Sequence, residues 1–343
     1  MRVAMYYNNH DIRLEELPRP VIGPGELLVK IHASGICGSD VMEWYRIGKA
    51  PLVLGHEIAG EVVELGAGVE KFVVGDRVVA THHVPCFHCH ECRSGHETVC
   101  DLLLSGTHFD PGGFCEYVRL APVNVLRGTW KIPDSLGYDA ATFVEPLACV
   151  LRGQGSAGLK AGASVLVLGS GISGLLHVHL ASVSGAGFIA ASDLSPYRLE
   201  AAKRFGAQAS YQATGNVAEQ FRRDNRGQGA DLVIVCASAV AACQQALASV
   251  ARVGTILFFA PPAAGVTMPL SLNDLFWRKD LTLTTSYAGS PADCAAALEL
   301  IAHGRLRVEE MITHRFGLAD TVVGSALVAE GQDSIKVIIH PQE

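Results

Sequence analysis

The length and composition of the chain exclude several classes of protein. Its 343 residues exceed the usual size of a single hydrophobic core, which favours two domains. Apolar residues make up 49% and charged residues 18%, with 36 Gly and 15 Pro, a balance that excludes an intrinsically disordered chain and a collagen-like one. The net charge of −7 argues against a nucleic-acid partner, because phosphate backbones are held mainly by clustered Lys and Arg.

The first part of the chain is rich in short β segments. Residues 1–10 contain no uninterrupted apolar run and no small-residue cleavage site, so no secretory signal is visible and we expect a cytoplasmic protein. Up to about residue 150, short β-rich segments at 26–33, 59–65 and 76–82 are separated by Gly and Pro. This pattern predicts an irregular barrel or sandwich.

The pattern changes from about Ser164, where short apolar runs alternate with segments of helical length. The stretch 161–191 is apolar enough to resemble a membrane span, but its glycines and histidines divide it into a buried strand and a helix, so no membrane partner is expected. A doubly wound parallel sheet is predicted, with strands at 164–168, 188–192, 209–212, 231–236, 255–259 and 281–285. A helix at 291–303, followed by strand-like segments that end with 334–340, is expected to return the chain to the first domain.

A glycine-rich turn follows the first of these parallel strands. Gly169, Gly171 and Gly174 occur in G-x-G-x-x-G order, between the strand and an apolar helix that begins near Ile172. Gly169 permits a tight turn, Gly171 lets the backbone approach a pyrophosphate, and Gly174 lets helix and strand pack closely. The spacing therefore predicts a dinucleotide site.

Asp193 stands at the end of the next strand, where a carboxylate can accept hydrogen bonds from both ribose hydroxyls. Because a carboxylate there repels a 2′-phosphate, NAD is expected rather than NADP. Arg198, five residues further on, could instead assist NADP, and this alternative stays open.

Four cysteines lie within fifteen residues of one another, after the β-rich segment 76–82: Cys86, Cys89, Cys92 and Cys100. Four thiolates complete a closed tetrahedral Zn²⁺ site and leave no position for a substrate. The interleaved His88, His90 and His96 are interpreted as solvated loop residues. A nucleic-acid zinc knuckle is the alternative, and the lack of clustered basic residues disfavours it.

A second candidate metal site is dispersed along the chain. Taken singly, Cys37, His56 and Glu145 can be a buried thiol, a core imidazole and an acid at a helix start. Together with Glu57 they supply the mixed S, N and O donors of a catalytic zinc that keeps one position open.

These residues resemble the zinc-containing medium-chain dehydrogenase/reductase family over essentially the whole chain. The signature matches at Gly55-His56-Glu57-x2-Gly60-x5-Gly66-x2-Val69, and Cys37-Gly-Ser39-Asp40 and Glu145-Pro146-Leu147 resemble the sorbitol and threonine dehydrogenase branches. The resemblance implies an α/β protein: a GroES-like, irregular β-rich catalytic domain at 1–152 with a zinc lobe at 82–101, a Rossmann NAD-binding domain at 153–287, and a return to the catalytic domain at 288–343. It also implies that Cys37 and His56 bind the catalytic zinc, while Glu57 and Glu145 share or exchange one position.

One residue departs from the family pattern. Relatives carry a His five residues after the zinc cysteine, where it helps to pass the substrate proton to solvent, but this chain has Met42. A thioether cannot relay a proton. We expect Ser39 to accept the proton, with exit through water, the cofactor ribose or Glu43.

The expected activity is hydride transfer from a secondary alcohol, a polyol, sugar alcohol or sugar acid, to NAD. Threonine-type amino alcohols and sugar phosphates are alternatives, and a non-catalytic protein of the same fold is disfavoured because all four ligands and Ser39 are present. Arg46 and Lys49 would suit an anionic substrate. The substrate pocket could also involve Glu43, His108, Trp44 and Phe109. We further expect a homo-oligomer, either a tetramer or a dimer.

Overall fold

The structure is a computed structural model that describes residues 1–106, 109–331 and 333–343. The chain divides into two compact units, the first formed by Met1–Ala148 and Ala288–Glu343 and the second by Cys149–Tyr287. His108, an expected pocket residue, lies outside the described residues.

The strands in the described part of the chain are β1 Arg2–Asn8, β2 Asp11–Glu16, β3 Leu27–Gly35, β4 Leu52–Val53, β5 Glu57–Leu65, β6 Arg77–Ala80, β7 Tyr117–Leu120, β8 Thr129–Lys131, β9 Ser164–Leu168, β10 Phe188–Asp193, β11 Ala209–Gln212, β12 Ala230–Val235, β13 Val250–Phe258, β14 Thr282–Thr285, β15 Ile312–Gly317 and β16 Lys336–His340. The α-helices are α1 Glu43–Arg46, α2 His90–Arg93, α3 Asp101–Ser105, α4 Pro122–Arg127, α5 Tyr138–Ala141, α6 Val144–Ser156, α7 Ile172–Val183, α8 Pro196–Arg204, α9 Val217–Asp224, α10 Val240–Ser249, α11 Leu272–Phe276, α12 Pro291–Ala302 and α13 Thr321–Glu330.

The first unit is built on β-sheets, which confirms the predicted β-rich domain. Its larger sheet has the order β15-β16-β3-β5-β6-β8, with β7 also paired to β3, and a smaller sheet has the order β2-β1-β4. In β3 the apolar Val29, Ile31 and Ala33 are buried, whereas the intervening Lys30 and His32 are half-buried. This alternation gives the strand one face for the core.

The antiparallel pairing of β3, β5 and β6 brings three chain segments to one edge of the larger sheet. Gly35 near the end of β3 pairs with Glu57 at the start of β5, and Ile58 pairs with Ala80 at the end of β6. Because β3 and β6 both end where β5 begins, the residues after β3, at the start of β5 and after β6 are neighbours. Cys37, His56 and His82 lie on these three segments.

The end of the chain returns to the same sheet. Strand β16 pairs with β3 through Ile338 and Gly35, and helix α13 packs beside it. A Cβ atom at Gly324 of α13 would lie 2.9 Å from Ile36 Cδ1, so glycine permits this close approach. Ser290 is the N-cap of helix α12 and forms a capping box with Asp293, and the helix closely matches the one predicted at 291–303.

The second unit is a parallel sheet of six strands in the order β11-β10-β9-β12-β13-β14, as predicted for a doubly wound fold. The central strands are buried along nearly their whole length, which explains their continuous apolar sequences. Strand β13 begins five residues before its predicted start, because an irregularity in its pairing with β12 adds the segment from Val250. Among the described residues, every helix is too short or too polar to cross a membrane.

Candidate active site

The glycine turn of the second unit has the geometry of a dinucleotide site. Gly169 has a φ of +96°, which an L side chain rarely adopts. A Cβ atom on Gly174 would collide with the carbonyl oxygen of Gly169, so close packing of helix and strand requires glycine there. Helix α7 begins at Ile172, and its free backbone N–H groups and positive end suit a pyrophosphate.

Asp193 and Arg198 both lie beside this turn. The Asp193 carboxylate accepts hydrogen bonds from the backbone N–H groups of Ser170, at 2.7 Å, and Ser195, at 2.9 Å. The Arg198 Nη1 atom lies 3.8 Å from where a Cβ atom on Gly171 would be. The structure thus brings together the glycines, the carboxylate and the cation that the sequence assigned to the cofactor.

The four cysteines of the predicted zinc lobe come together in the first unit. The Sγ atoms of Cys86, Cys89, Cys92 and Cys100 all lie within 4.8 Å of one another, and no disulfide joins them. Cys86 Sγ and Cys92 Sγ are 3.9 Å apart, close to the ~3.8 Å edge of a tetrahedron with Zn–S bonds of about 2.3 Å. The four thiols therefore fit a closed zinc site.

Backbone N–H groups favour the thiolate of Cys86 in this lobe. The N–H groups of His88 and Cys89 point at Cys86 Sγ, at 3.5 and 3.3 Å, and these hydrogen bonds lower the pKa of Cys86 to about 6. His88, His90 and His96 are exposed and do not belong to the cluster of sulfur atoms.

A short turn positions Cys37 directly after β3. A 3-10 turn spans Gly38–Val41, with Cys37 as its N-cap, and the Asp40 carboxylate accepts a hydrogen bond from the Cys37 N–H at 3.0 Å. The Cys37 Sγ atom accepts from the Ser39 N–H at 3.5 Å. This turn holds the Cys37 thiol beside the backbone of Ser39.

Cys37, His56 and Glu57 form the second candidate metal site. One ligand atom of each lies within 4.8 Å of the other two. Sulfur, nitrogen and oxygen from three protein residues match the donor set of a catalytic zinc, which keeps a fourth position for water or substrate. Glu145 is not part of this cluster.

Asp40 orients the His56 ring through the ring nitrogen that does not face the metal site. Its Oδ1 atom lies 3.3 Å from His56 Nδ1, which leaves the other ring nitrogen for a metal. Burial raises the pKa of the Asp40 carboxyl, but His56, Arg46 and the Cys37 N–H outweigh burial and lower that pKa. Asp40 is therefore a buried carboxylate held by cationic and N–H partners.

Glu57 has a partner from the other end of the chain. The Lys336 ammonium, fully buried, forms an ion pair with Glu57 Oε2 and donates a hydrogen bond to the Ile36 carbonyl at 3.1 Å. Burial raises the pKa of Glu57, and the Lys336 charge opposes this rise. A Cβ atom on Gly35 would lie in the space that the ends of the Glu57 and Lys336 side chains occupy, so glycine leaves room for this ion pair.

Glu145 pairs with a different residue. It lies in the first turn of α6, 5% exposed, and its Oε1 atom is 3.3 Å from His83 Nδ1. His82, beside His83, packs edge-on against His56 with ring centroids 5.0 Å apart, and Phe109 packs against His82 at 5.8 Å. His82 thus borders the metal cluster, and His83 lies between His82 and Glu145.

Sequence comparisons identify the relatives of the chain. The alcohol dehydrogenase GroES-like domain family matches residues 23–134, and the zinc-binding dehydrogenase family matches residues 173–303. Sorbitol dehydrogenase of Bacillus subtilis is 32% identical, over 99% of this chain and 97% of that protein. The chain belongs to the zinc-binding dehydrogenase family.

Other members of the zinc-binding dehydrogenase family are also similar. L-threonine 3-dehydrogenase of Pyrococcus horikoshii is 34% identical, over 88% of this chain and 86% of that protein. A zinc-binding dehydrogenase of Sinorhizobium meliloti, solved bound to NADP, is 29% identical with a TM-score of 0.89, over 99% of both chains. The 2R,3R-butanediol dehydrogenase of Bacillus subtilis has a TM-score of 0.84 at 30% identity, again over 99% of both chains.

Several residues around the candidate zinc site of this zinc-binding dehydrogenase were missed by sequence reasoning. Asp40 was quoted only as part of a motif, whereas Lys336, His82 and His83 were not assigned at all. The adjacent pair His82-His83, at the end of a predicted strand, was a usable signal. Lys336 carried none, because its partner Glu57 is 279 residues away.

Proposed function

We propose that this chain oxidises a secondary alcohol of the polyol class to a ketone, with NAD⁺ as hydride acceptor and Zn²⁺ at Cys37, His56 and Glu57. The cluster of these three ligand atoms beside Ser39 carries the proposal. The glycine turn and Asp193 support NAD. Relatives that are named sorbitol dehydrogenase and erythritol/L-threitol dehydrogenase support a polyol substrate.

The chemistry of the site follows from its residues. When bound, Zn²⁺ acts as a Lewis acid that lowers the pKa of an alcohol hydroxyl. Ser39 accepts the hydroxyl proton while its own proton passes to water, so the serine is neutral before and after. The carbinol C–H bond breaks, its hydride reduces NAD⁺ to NADH, and the alcohol becomes a ketone.

Each candidate ligand has a proposed role. Glu57 is our choice for the third protein ligand because its carboxylate belongs to the donor cluster. That Glu57 and Glu145 exchange as the third protein ligand of the zinc stays a prediction. Cys86, Cys89, Cys92 and Cys100 are proposed to hold a second, structural Zn²⁺.

The domain boundaries are also a proposal. Residues 1–152 and 288–343 would form the catalytic domain, with the zinc lobe at 82–101, and residues 153–287 the NAD-binding domain. A cytoplasmic location is supported by the cysteines, all of them unpaired among the described residues, since zinc thiolates persist in a reducing compartment.

An amino alcohol of the threonine type is the second candidate substrate. Relatives named L-threonine 3-dehydrogenase are 33–34% identical to this chain. The buried Glu145 carboxylate near the candidate metal site would suit an ammonium group.

We also propose a homo-oligomer, built on a dimer in which β14 pairs with β14 of a second copy. Strand β14 is an edge strand with mostly exposed residues, and unpaired edges favour association. Large apolar side chains are exposed on this strand and on the chain segments that precede and follow it: Val266, Leu270, Leu272, Phe276, Trp277, Leu283 and Tyr287. An apolar surface of this kind marks an interface.

The test begins with substrates and metal. Polyols, sugar acids, sugar phosphates and amino alcohols are assayed with NAD and NADP, before and after chelation, and zinc is counted per chain. We expect two zinc ions, a preference for a polyol with NAD, and loss of turnover when the accessible zinc is removed. A fully active preparation with one zinc or none would contradict the proposal of two sites.

Variants at the metal cluster then test the assignment. Cys37→Ala or His56→Ala should reduce turnover by at least about 10²-fold, because the hydroxyl loses its activation, and zinc content should fall by one per chain. NADH binding, measured by fluorescence, should persist because the glycine turn is elsewhere in the chain. Cys243→Ala, a half-buried cysteine outside both clusters, is the matched control. Near-normal turnover of Cys37→Ala would overturn the catalytic zinc.

A further inference from the structure

We propose that Arg46 is a positioning residue that holds the Ser39 hydroxyl in place for proton transfer. The inference rests on the proposed function, in which Ser39 accepts the substrate proton. The Arg46 Nε atom donates a hydrogen bond to the Ser39 carbonyl oxygen at 2.9 Å, and Nη2 donates to Ser39 Oγ at 3.2 Å. One guanidinium therefore binds both the backbone and the side chain of the same serine.

The local fold explains how Arg46 reaches Ser39. Helix α1 begins directly after Met42, and the backbone N–H of Arg46 donates to the Met42 carbonyl at 3.1 Å. Residue 46 thus follows residue 42 by one helical turn. Position 42 is a methionine instead of a proton-relay histidine. One turn later, Arg46 donates a hydrogen bond to Ser39, the residue from which that histidine would have received the proton.

Surrounding charges keep the guanidinium in place. Its Nη2 atom lies 3.6 Å from Asp40 Oδ1, and the group packs over the ring of Tyr45 at 4.7 Å from the centroid. The Arg46 side chain is only 14% exposed. A guanidinium is planar and permanently charged, so these contacts fix its direction and it cannot itself relay a proton.

The hydrogen bond from Arg46 limits what the Ser39 hydroxyl can do. A hydroxyl oxygen has two lone pairs and one proton. Arg46 occupies one lone pair, so the second remains for the substrate hydroxyl proton and the O–H bond remains to pass the serine proton to water. Without Arg46, the side chain would sample the other staggered rotamers, most of which point the oxygen elsewhere.

The same contacts argue against Arg46 as the ligand of an anionic substrate. Nε and Nη2 are the two nitrogen atoms on one side of the guanidinium fork, and both are hydrogen-bonded to Ser39. A carboxylate or phosphate that binds side-on, through Nε and Nη2, would have to displace these bonds. Arg46 is therefore assigned to Ser39 rather than to an acidic substrate.

The experiment compares Arg46→Ala with Arg46→Lys, Ser39→Ala and the double variant, in zinc-loaded enzyme with a neutral polyol. Arg19→Ala is the control, because Arg19 also packs on a tyrosine ring, at 4.3 Å from Tyr117, away from the site. Since acid–base groups contribute about 10²–10⁴-fold, Arg46→Ala should lower kcat by about 10- to 100-fold. KM should change by less than about threefold, and the solvent deuterium isotope effect on kcat should rise.

Two further readouts separate positioning from a structural role. Added guanidinium ion should restore part of the activity of Arg46→Ala but none of the activity of the double variant. In the Ser39→Ala background, Arg46→Ala should cause no further loss of activity. Zinc content and NADH binding should be unchanged. Arg46→Lys, which keeps the charge but not the fork, should recover only part of kcat.

Each contrary result has a distinct meaning. Normal kcat in Arg46→Ala, a loss confined to KM, or a loss that follows zinc content would overturn the role of Arg46 while Ser39→Ala remained impaired. Near-normal activity of Ser39→Ala would instead overturn the proton acceptor in the proposed function, and the role of Arg46 with it.

Discussion

The Asp193 carboxylate ends strand β10 and accepts hydrogen bonds from two backbone N–H groups, those of Ser170 and Ser195. An ionised carboxylate has about four acceptor positions, so it can hold the glycine turn and still accept from ribose hydroxyls. Cofactor recognition and local structure therefore depend on one side chain.

We predict that Asp193→Ala shifts cofactor preference from NAD towards NADP. The KM for NAD should rise by about tenfold or more, because the ribose hydroxyls lose a charged acceptor, and Arg198 is close enough to the turn to attract a 2′-phosphate. Steady-state kinetics with both cofactors provide the measurement.

Asp231→Ala is the matched control for this prediction. Asp231 also accepts two hydrogen bonds, both at 2.8 Å, from the N–H and hydroxyl of Ser164 at the other end of strand β9. Its loss should lower stability without changing the NAD/NADP ratio. An unchanged NAD preference in Asp193→Ala would contradict the cofactor assignment.

The side chains of the site divide into those that sequence could predict and those that it could not. The four cysteines lie in one short segment and the three glycines in another, and each set has a characteristic spacing. The sequence alone was therefore enough to predict them. Asp40, Arg46 and Lys336 act through contacts that depend on a turn or on distant pairing. Spacing carries no information about the partner of Lys336, which is 279 residues away, and the contacts of Asp40 and Arg46 are known only once the local turn is known.

The strands of the parallel sheet were the most predictable elements. The central strands β9, β10 and β12 are short and buried along nearly their whole length, so each appears in the sequence as a bounded apolar run. Helix α13 was missed, since a strand-like interpretation was given to that region. Its residues, Thr321–Glu330, include adjacent β-branched side chains and Gly324, which lower helix propensity. Tertiary packing against β16 and β15 supports the helix instead.

The exposed edge strand β14 leads to a prediction about assembly. Leu283, 37% exposed, lies in the middle of β14, and Leu283→Lys would place a charge in a strand-to-strand contact between two copies. We expect this variant to shift the sedimentation coefficient to that of a smaller species at the same protein concentration.

Leu14→Lys is the control for Leu283→Lys. Leu14 is also an exposed leucine on an edge strand, β2, with 46% of its surface accessible. Its substitution should leave the oligomer intact. If Leu283→Lys sedimented as the unaltered protein does, the proposed dimer contact would be wrong.

Contacts from the final segment of the chain stabilise the first unit. Strand β16 carries Lys336, which pairs with Glu57, and His340, whose Nε2 atom lies 2.8 Å from Asp139 Oδ1. Asp139 also accepts a hydrogen bond from Arg315 of β15 at 2.6 Å. Ion pairs with partners 201 and 279 residues away tie the end of the chain to segments far earlier in the sequence.

The Asp139–His340 pair predicts a pH dependence of stability. The hydrogen bond to Asp139 raises the pKa of His340 in the folded protein. The stabilisation that protonated His340 gives the fold is therefore complete below its usual pKa near 6.5, and it is lost as the pH rises through the folded-state pKa. Burial raises the pKa of Asp139, but His340 and Arg315 outweigh it and lower that pKa, so the contribution of Asp139 is lost only in acid. The pair is therefore strongest between these two limits.

Asp139→Asn should consequently destabilise the protein more at pH 5.5 than at pH 9. The difference between the two losses should be about 1 kcal/mol, because the pair is only partly shielded from solvent. Urea unfolding midpoints of the variant and the unaltered protein, compared at each pH, measure this difference. Asp11→Asn is the control, since Asp11 pairs with Arg13 and involves no titrating histidine. Asp11→Asn should lower stability by the same amount at both pH values. If Asp139→Asn also lowered stability equally at pH 5.5 and pH 9, His340 would contribute no pH-dependent stabilisation through this contact.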